Sequence, residues 1–348
     1  MAEEAFKLAE KWDRSADNGP LERERYDDFT TIFRTVDFLE KELYRQYDPT
    51  CSPQYRDYLT RLRDWLANTD DEDAQRVLFE FAPRLTFLGE KEFDSLYQAT
   101  FNGPIARWIL DLLNIRLDDP DLNDSLSREL HQHTWYCPVT DSMNISTFYH
   151  VNGIVGIEHR PDFRSLAKFG DKKAKERILA YMKNPGHKKE SPPFLKRLVL
   201  LEDFVGTGEQ CAETLEFAVG LDPNMQVLFV PIVICLAGAK RITEMVDGGK
   251  YPNLRYEPGL ELTEDTFIND ASPLRDDPVG LAIRTLAIST EAQVAGSAGW
   301  PWGCSKYGFR ETGATIVLHS NTPNNTLSLV HHESDTWKPL FPRVARIV

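Results

Sequence analysis

Apolar positions follow two different rhythms along this chain, and the change of rhythm near residue 130 divides it. Before that point they recur every three or four residues: Tyr26, Phe29, Ile32, Phe33, Val36, Leu39 and Leu43, then Tyr55, Tyr58, Leu59, Leu62, Trp65 and Leu66. Such spacing predicts helices with one apolar face each. Thr69-Asp70-Asp71-Glu72 has capping-box spacing ahead of Val77, Leu78, Phe81 and Leu85, so a third helix is expected from Asp70, bent or shortened by Pro83. Further helical stretches cover Phe93, Leu96 and Tyr97 and, after Asn102-Gly103-Pro104, Ile105 to Leu113. The aromatic side chains read as core packing, and residues 1–130 as a helical domain.

Beyond residue 130 the apolar residues come in short unbroken runs. Leu198 to Leu201 reads as a strand buried on both faces, as in the middle of a parallel sheet, and Trp135 to Val139 and Val227 to Ile234 read as further strands. Helix-forming sequence follows each of them, opened by Thr140 to Asn144, by Glu209 and by Gly238 respectively. Strands alternating with helices predict a parallel-sheet α/β domain over residues 131–348. Leu254 to Leu262 reads as an edge strand, Val279 to Ile288 as a helix entered through Asp276-Asp277-Pro278, and Thr315 to His319 as a strand. A basic, polar stretch between Arg160 and Lys196 holds an exposed helix from Lys172 to Tyr181 and a loop, Asn184 to Pro193, carrying His187, Lys188 and Lys189.

Candidate chemistry concentrates in Leu198-Val199-Leu200-Leu201-Glu202-Asp203-Phe204-Val205-Gly206-Thr207-Gly208-Glu209-Gln210. A buried strand ends in two adjacent carboxylates, a Gly-Thr-Gly turn follows, and a helix begins near Glu209. The glycines let the backbone approach a ligand, while the helix start aims N–H groups and a positive dipole end at it. That is a phosphate cradle. Adjacent carboxylates at its lip are acceptors suited to the cis hydroxyls of a ribose. A plainer role for the acids, capping the next helix, fits the same residues.

Charge sharpens the division. Residues 1–130 carry 17 Lys+Arg against 29 Asp+Glu, whereas residues 131–348 carry 23 against 25. The acidic front is a poor candidate for binding nucleic acid but could meet a basic protein partner. Five cysteines without a Cys-x-x-Cys pair or zinc spacing suggest reduced thiols, with Cys211 and Cys235 as small buried hydrophobes. The Met-Ala-Glu-Glu start does not read as a signal peptide, and the longest apolar run, Val227 to Ala239, is too short to span a bilayer. A cytoplasmic location is the expectation.

The signature stretch resembles the phosphoribosyl pyrophosphate (PRPP) motif of type I phosphoribosyltransferases: apolar strand, two acids, two apolar residues, a small residue or Asp, Thr-Gly, then a hydroxyl residue. It matches through Gly208 and departs at Gln210, where Thr or Ser is usual. With the ending that holds Gly299-Trp300-Pro301-Trp302-Gly303, Asn321 to Thr326 and Trp337 to Arg343, it resembles the phosphoribosyltransferase-like domain with a C-terminal extension of bacterial conflict systems.

The resemblance implies a type I phosphoribosyltransferase-like α/β core behind an all-α front. It implies that Glu202 and Asp203, the catalytic candidates, hold the ribose, and that Val205, Gly206, Thr207, Gly208, Glu209 and Gln210 hold the 5-phosphate. Thr140, Asp141 and Ser142 look like the pyrophosphate loop, beside the reading of Asp141 or Ser142 as a helix N-cap. His187, Lys188 and Lys189 stand where such enzymes close a mobile basic loop. Asn324 and Asn325 would face the ligand, although Pro-Asn-Asn also forms turns. Mg²⁺ would arrive with PRPP, held largely by ligand oxygens. Enzymes resembling hypoxanthine-guanine phosphoribosyltransferase have an Asp at the place of Gly206, so a free purine is not the expected acceptor. The cellular role implied is an effector of antiviral defence. Two other classes stand beside an enzyme: a non-catalytic nucleotide sensor, and an interaction module docking on a defence-complex partner.

Overall fold

A computed structural model describes residues 2–16, 28–50, 55, 57–155, 172–183, 195–274 and 277–344. Nine strands occur among them: β1 (Thr86–Leu88), β2 (Thr134–Pro138), β3 (Arg197–Val205), β4 (Gln226–Ile234), β5 (Leu254–Tyr256), β6 (Leu260–Glu261), β7 (Cys304–Ser305), β8 (Gly308–Phe309) and β9 (Ile316–Leu318). Two compact units divide the chain, one made of Met1–Glu90 with Thr263–Val348 and the other of Lys91–Leu262. This differs from the consecutive 1–130 and 131–348 of the sequence reading. Among the described residues no helix is long and apolar enough to cross a membrane.

In the first unit the N-terminal helices and the C-terminal segment share one core. Trp12, Val36, Tyr58, Leu62, Trp65 and Leu78 pack in the same cluster as Ile283, Leu327, Trp337, Leu340 and Phe341. The helices follow the apolar periodicity: Phe29–Glu42, Tyr58–Leu66, Glu72–Phe81 and Pro278–Ser289. Asp71 rather than Thr69 caps the third, its side chain accepting from Asp73 N, and the helix stops at Phe81 before a 3₁₀ turn that contains Pro83. The strand β1, inside the stretch expected to be all helical, pairs in parallel with β9.

The second unit is the α/β part. Its sheet runs β2-β3-β4-β5 with every pairing parallel, and β6 extends the same edge of β4. Both β3 and β4 are buried along almost their whole length, which is why they read as unbroken apolar runs. Side chains alternate between the faces. Trp135, Cys137, Leu198, Leu200, Val227 and Phe229 pack with helices Lys172–Lys183, Glu209–Val219 and Leu236–Asp247. Sequential order of parallel strands, whose crossovers are as a rule right-handed, accounts for all three helices sharing that face.

Tyr136 points to the other face, where its ring meets Phe101 at 5.9 Å and Phe148 at 5.6 Å. Phe148 belongs to helix Ile145–Val151 and also meets Tyr97 of helix Glu90–Thr100 at 5.7 Å; helix Ala106–Leu113 follows in the chain. Asn102-Gly103-Pro104, expected to separate two helices, instead lies in a π-helical turn, Phe101–Ile105, that joins them. The expected edge strand from Leu254 to Leu262 divides into β5 and β6 around Gly259, whose N–H donates to Pro231 O at 2.9 Å.

Candidate functional site

Glu202 and Asp203 lie in the C-terminal half of β3, 4% and 7% exposed. Alternation along the strand sends them to opposite faces. After burial itself, Glu202 is the strongest influence raising the Cys211 thiol of helix Glu209–Val219, and Asp203 the strongest raising the Tyr97 phenol. Cys211 is therefore a protonated, buried thiol, in keeping with its reading as a small hydrophobe.

The chain leaving β2 meets this acid pair. Val139 N continues the ladder, donating to Leu201 O at 2.8 Å. Thr140 then donates its N–H to Glu202 Oε2 at 2.9 Å, and its hydroxyl oxygen lies 2.5 Å from Glu202 Oε1. Ser142 Oγ lies 2.7 Å from Asp203 Oδ1, 3.0 Å from Glu202 Oε1 and 2.6 Å from Thr140 Oγ1. Asp203 Oδ1 also accepts from Phe204 N at 2.8 Å. The helix that follows is capped by Asn144, which accepts from Thr147 N, and not by Asp141 or Ser142. Ser142 is turned to the carboxylates instead, while Asp141 is exposed.

These oxygens share few protons. With both carboxylates ionised, the two hydroxyls supply one proton each, yet the three shortest contacts in the chain Glu202–Thr140–Ser142–Asp203 each call for one. A proton on Glu202 completes that chain. Burial first, and the Asp203 carboxylate second, push the Glu202 acid up to about 8, so it holds this proton at neutral pH.

Two residues after Asp203 the strand ends and the backbone turns. Gly208, at φ 73°, is the residue before helix Glu209–Val219 and brings no side-chain cap to it. Its left-handed conformation is one that glycine adopts without strain. First-turn N–H groups therefore face the Gly206–Gly208 turn, where the helix dipole favours an anion. Thr207 is half-buried in that turn and Gln210 is exposed.

The start of the next helix, Leu236–Asp247, closes on the turn. A Cβ on Gly238 would stand 2.7 Å from Gly206 O, so only a glycine fits there without displacing the loop. A Cβ on Gly208 would meet Arg241 Cδ at 3.3 Å, and the Arg241 guanidinium is 3.7 Å from the Glu209 carboxylate. Gly238 and Arg241 were not singled out from the sequence as parts of the site. Their signal was topological: in an open parallel sheet the loops at the carboxyl ends of neighbouring strands lie side by side.

The structure thus brings Thr140, Ser142, Glu202, Asp203 and the Gly206 to Gln210 turn to the carboxyl edge of one sheet. Two other expectations fall elsewhere. His187, Lys188 and Lys189 lie outside the described residues. Asn324 and Asn325 belong to the other unit. There the buried Asn325 amide donates to Thr312 Oγ1 at 2.9 Å and Phe309 O at 3.3 Å, and Asn324 O accepts from Phe309 N, so Pro-Asn-Asn forms a turn tied to its own neighbours.

No curated protein and no solved structure matches this chain. A model of the PRTase-CE family, phosphoribosyltransferase-like with a C-terminal extension, matches residues 62–343, which takes in the acid pair, the glycine turn and the C-terminal segment that shares a core with the N-terminal helices. With most of its length covered, the chain belongs to the PRTase-CE family.

Proposed function

We propose that the second unit binds PRPP, or a related ribose 5-phosphate, and transfers the phosphoribosyl group with release of pyrophosphate. The observation that carries this is the pairing of two buried carboxylates with a glycine turn at a helix N-terminus, at the carboxyl end of one parallel strand. Glu202 and Asp203 accept from the 2- and 3-hydroxyls of the ribose. Backbone N–H groups from Gly206 to Gln210 and the Thr207 hydroxyl take the 5-phosphate, and Arg241, half-exposed beside the turn, adds a positive charge within reach.

Carboxylate and hydroxyl oxygens at this edge are the hard donors Mg²⁺ accepts, and that ion usually keeps most of its shell from ligand and water. Asp203 would be its protein contact, and the ion would supply charge neutralisation on the pyrophosphate. The reaction asks the chain to hold C1 of the ribose open to an acceptor while the C1–O bond breaks and the pyrophosphate leaves with the electron pair. Orientation of the ribose by the acid pair is the chain's contribution to that step.

Gly206 has no side chain to take a proton from a purine, and losing one general base costs about 10² to 10⁴ in rate. Pyrophosphate release from PRPP should therefore not be stimulated by hypoxanthine, guanine or adenine. A second reading, a ligand-binding sensor without turnover, draws on the same glycine and on the hydroxyls that already engage the acids. In either case the cellular role proposed is that of an effector or sensor in antiviral defence. Calorimetry with PRPP and Mg²⁺ tests the site: wild type should bind, and Glu202→Ala/Asp203→Ala should not. Equal affinity in the two would remove the assignment.

A further inference from the structure

The acid pair is already occupied, and its occupants imitate a sugar. Thr140 and Ser142 present two hydroxyls whose oxygens are 2.6 Å apart, and both reach the carboxylates that would receive a ribose. A cis-diol likewise brings two hydroxyl oxygens on neighbouring atoms.

The loop already engages an oxygen of each acid. A carboxylate oxygen has two lone pairs. Glu202 Oε1 faces the Thr140 and Ser142 hydroxyls, and Asp203 Oδ1 faces the Ser142 hydroxyl and Phe204 N. Glu202 Oε2 takes Thr140 N. A diol reaches Glu202 Oε1 and Asp203 Oδ1 only by taking the places of Thr140 and Ser142.

We propose that Thr140 and Ser142 are internal competitors, which cap the acid pair in the free protein and leave it when a vicinal diol binds. This rests on the phosphoribosyl reading of Glu202 and Asp203. The segment that must move is bounded on one side by Val139, whose N–H is held in the sheet by Leu201, and on the other by Asn144, which caps the following helix. Exchange is thus confined to Thr140 through Met143. It makes these residues determinants of specificity: a ribose 5-phosphate lacking the 2-hydroxyl replaces only part of the cap and should bind less well than the full diol.

The experiment compares wild type, Ser142→Ala and Thr140→Val/Ser142→Ala in calorimetric titrations with ribose 5-phosphate. Amide hydrogen exchange at residues 139–144 of the wild type is followed in parallel. Competition predicts affinity about tenfold higher in the single variant, since one hydrogen bond to a charged acceptor no longer has to be broken, and faster exchange at Thr140 on binding. Unchanged or weaker affinity in Ser142→Ala, with slower Thr140 exchange in liganded wild type, would overturn the competition while leaving the site reading intact. The exchange readout needs no variant, so poor folding of the double variant does not remove the test. If no form binds ribose 5-phosphate or PRPP, the site reading fails and the competition with it.

Discussion

The two compact units bury polar side chains in different company. In the first, Arg61 is 8% exposed, donates Nε–H to Leu340 O at 2.8 Å, and lies over the rings of Tyr47, Tyr58 and Phe341 at 5.4 to 5.8 Å. His331 has Nε2 2.9 Å from Thr326 O, and Thr322 donates to Phe341 O at 3.0 Å. These partners are carbonyls and rings of the same core, fixed by the fold. In the second unit, Glu202 and Asp203 are met by the hydroxyls of a short segment after a strand. Burial is similar in the two places; what differs is whether the partner could be replaced by a ligand offering the same donors.

The comparison is open to attack, first through Arg61. Arg61→Ala removes the donor to Leu340 and the cation above three rings, and should cost about 3 kcal/mol or more in unfolding free energy. Denaturant titration checks this, and a loss below about 1 kcal/mol would mean that the buried polar groups of the first unit are not the ties they look like. Gly238→Ala comes next. Pushing a methyl toward Gly206 O should cost about 1–3 kcal/mol of stability and lower affinity for ribose 5-phosphate at least tenfold, whereas full affinity would separate the glycine turn from ligand binding.

A pH series tests the acid pair. In the unfolded chain Glu202 has an ordinary carboxyl; in the folded protein its affinity for a proton is raised to about 8. Between pH 4.5 and 8 the folded state therefore binds the extra proton, and stability falls as pH rises through that window, by at most about 1.4 kcal/mol per pH unit for one proton. Glu202→Gln, which keeps a donor without ionising, should remove that slope. Identical slopes in the two proteins would show that Glu202 is not the proton holder.

Arg241→Ala should have the smallest effect. Its pair with Glu209 is long and half-exposed, so stability should change by less than about 0.5 kcal/mol, with a several-fold loss of affinity for a phosphate ligand that shrinks as salt is added. An affinity insensitive to both mutation and salt would take Arg241 out of the site.

Contiguous features were legible in the sequence. The run from Leu198 to Gln210 placed the strand end, the acids and the turn because each follows from local chemistry, and the buried faces of Tyr58 to Leu66 and Glu72 to Phe81 followed from their period. What escaped depends on residues far apart in the chain. Thr86 to Leu88 is a strand only because β9 lies beside it, and three residues carry too little pattern to compete with the helical text around them. The core shared by Trp65 and Trp337 likewise has no local mark, so a boundary drawn from composition at residue 130 differs from the division into units. Gly103 and Pro104 signalled a break, but a π-helical turn absorbed it. Ser142 read as a possible cap because serine begins many helices; only the neighbouring strand reveals the carboxylates it faces instead.

If the carboxyl edge of β3 holds a phosphorylated ribose, a crystal structure of the protein with PRPP and Mg²⁺ will show it there. The 2- and 3-hydroxyls should lie against Glu202 and Asp203, the 5-phosphate against the backbone from Gly206 to Gln210, and Thr140 and Ser142 should be withdrawn from the acids. Ligand bound elsewhere, or bound here with the phosphate away from the glycine turn, would contradict this placement.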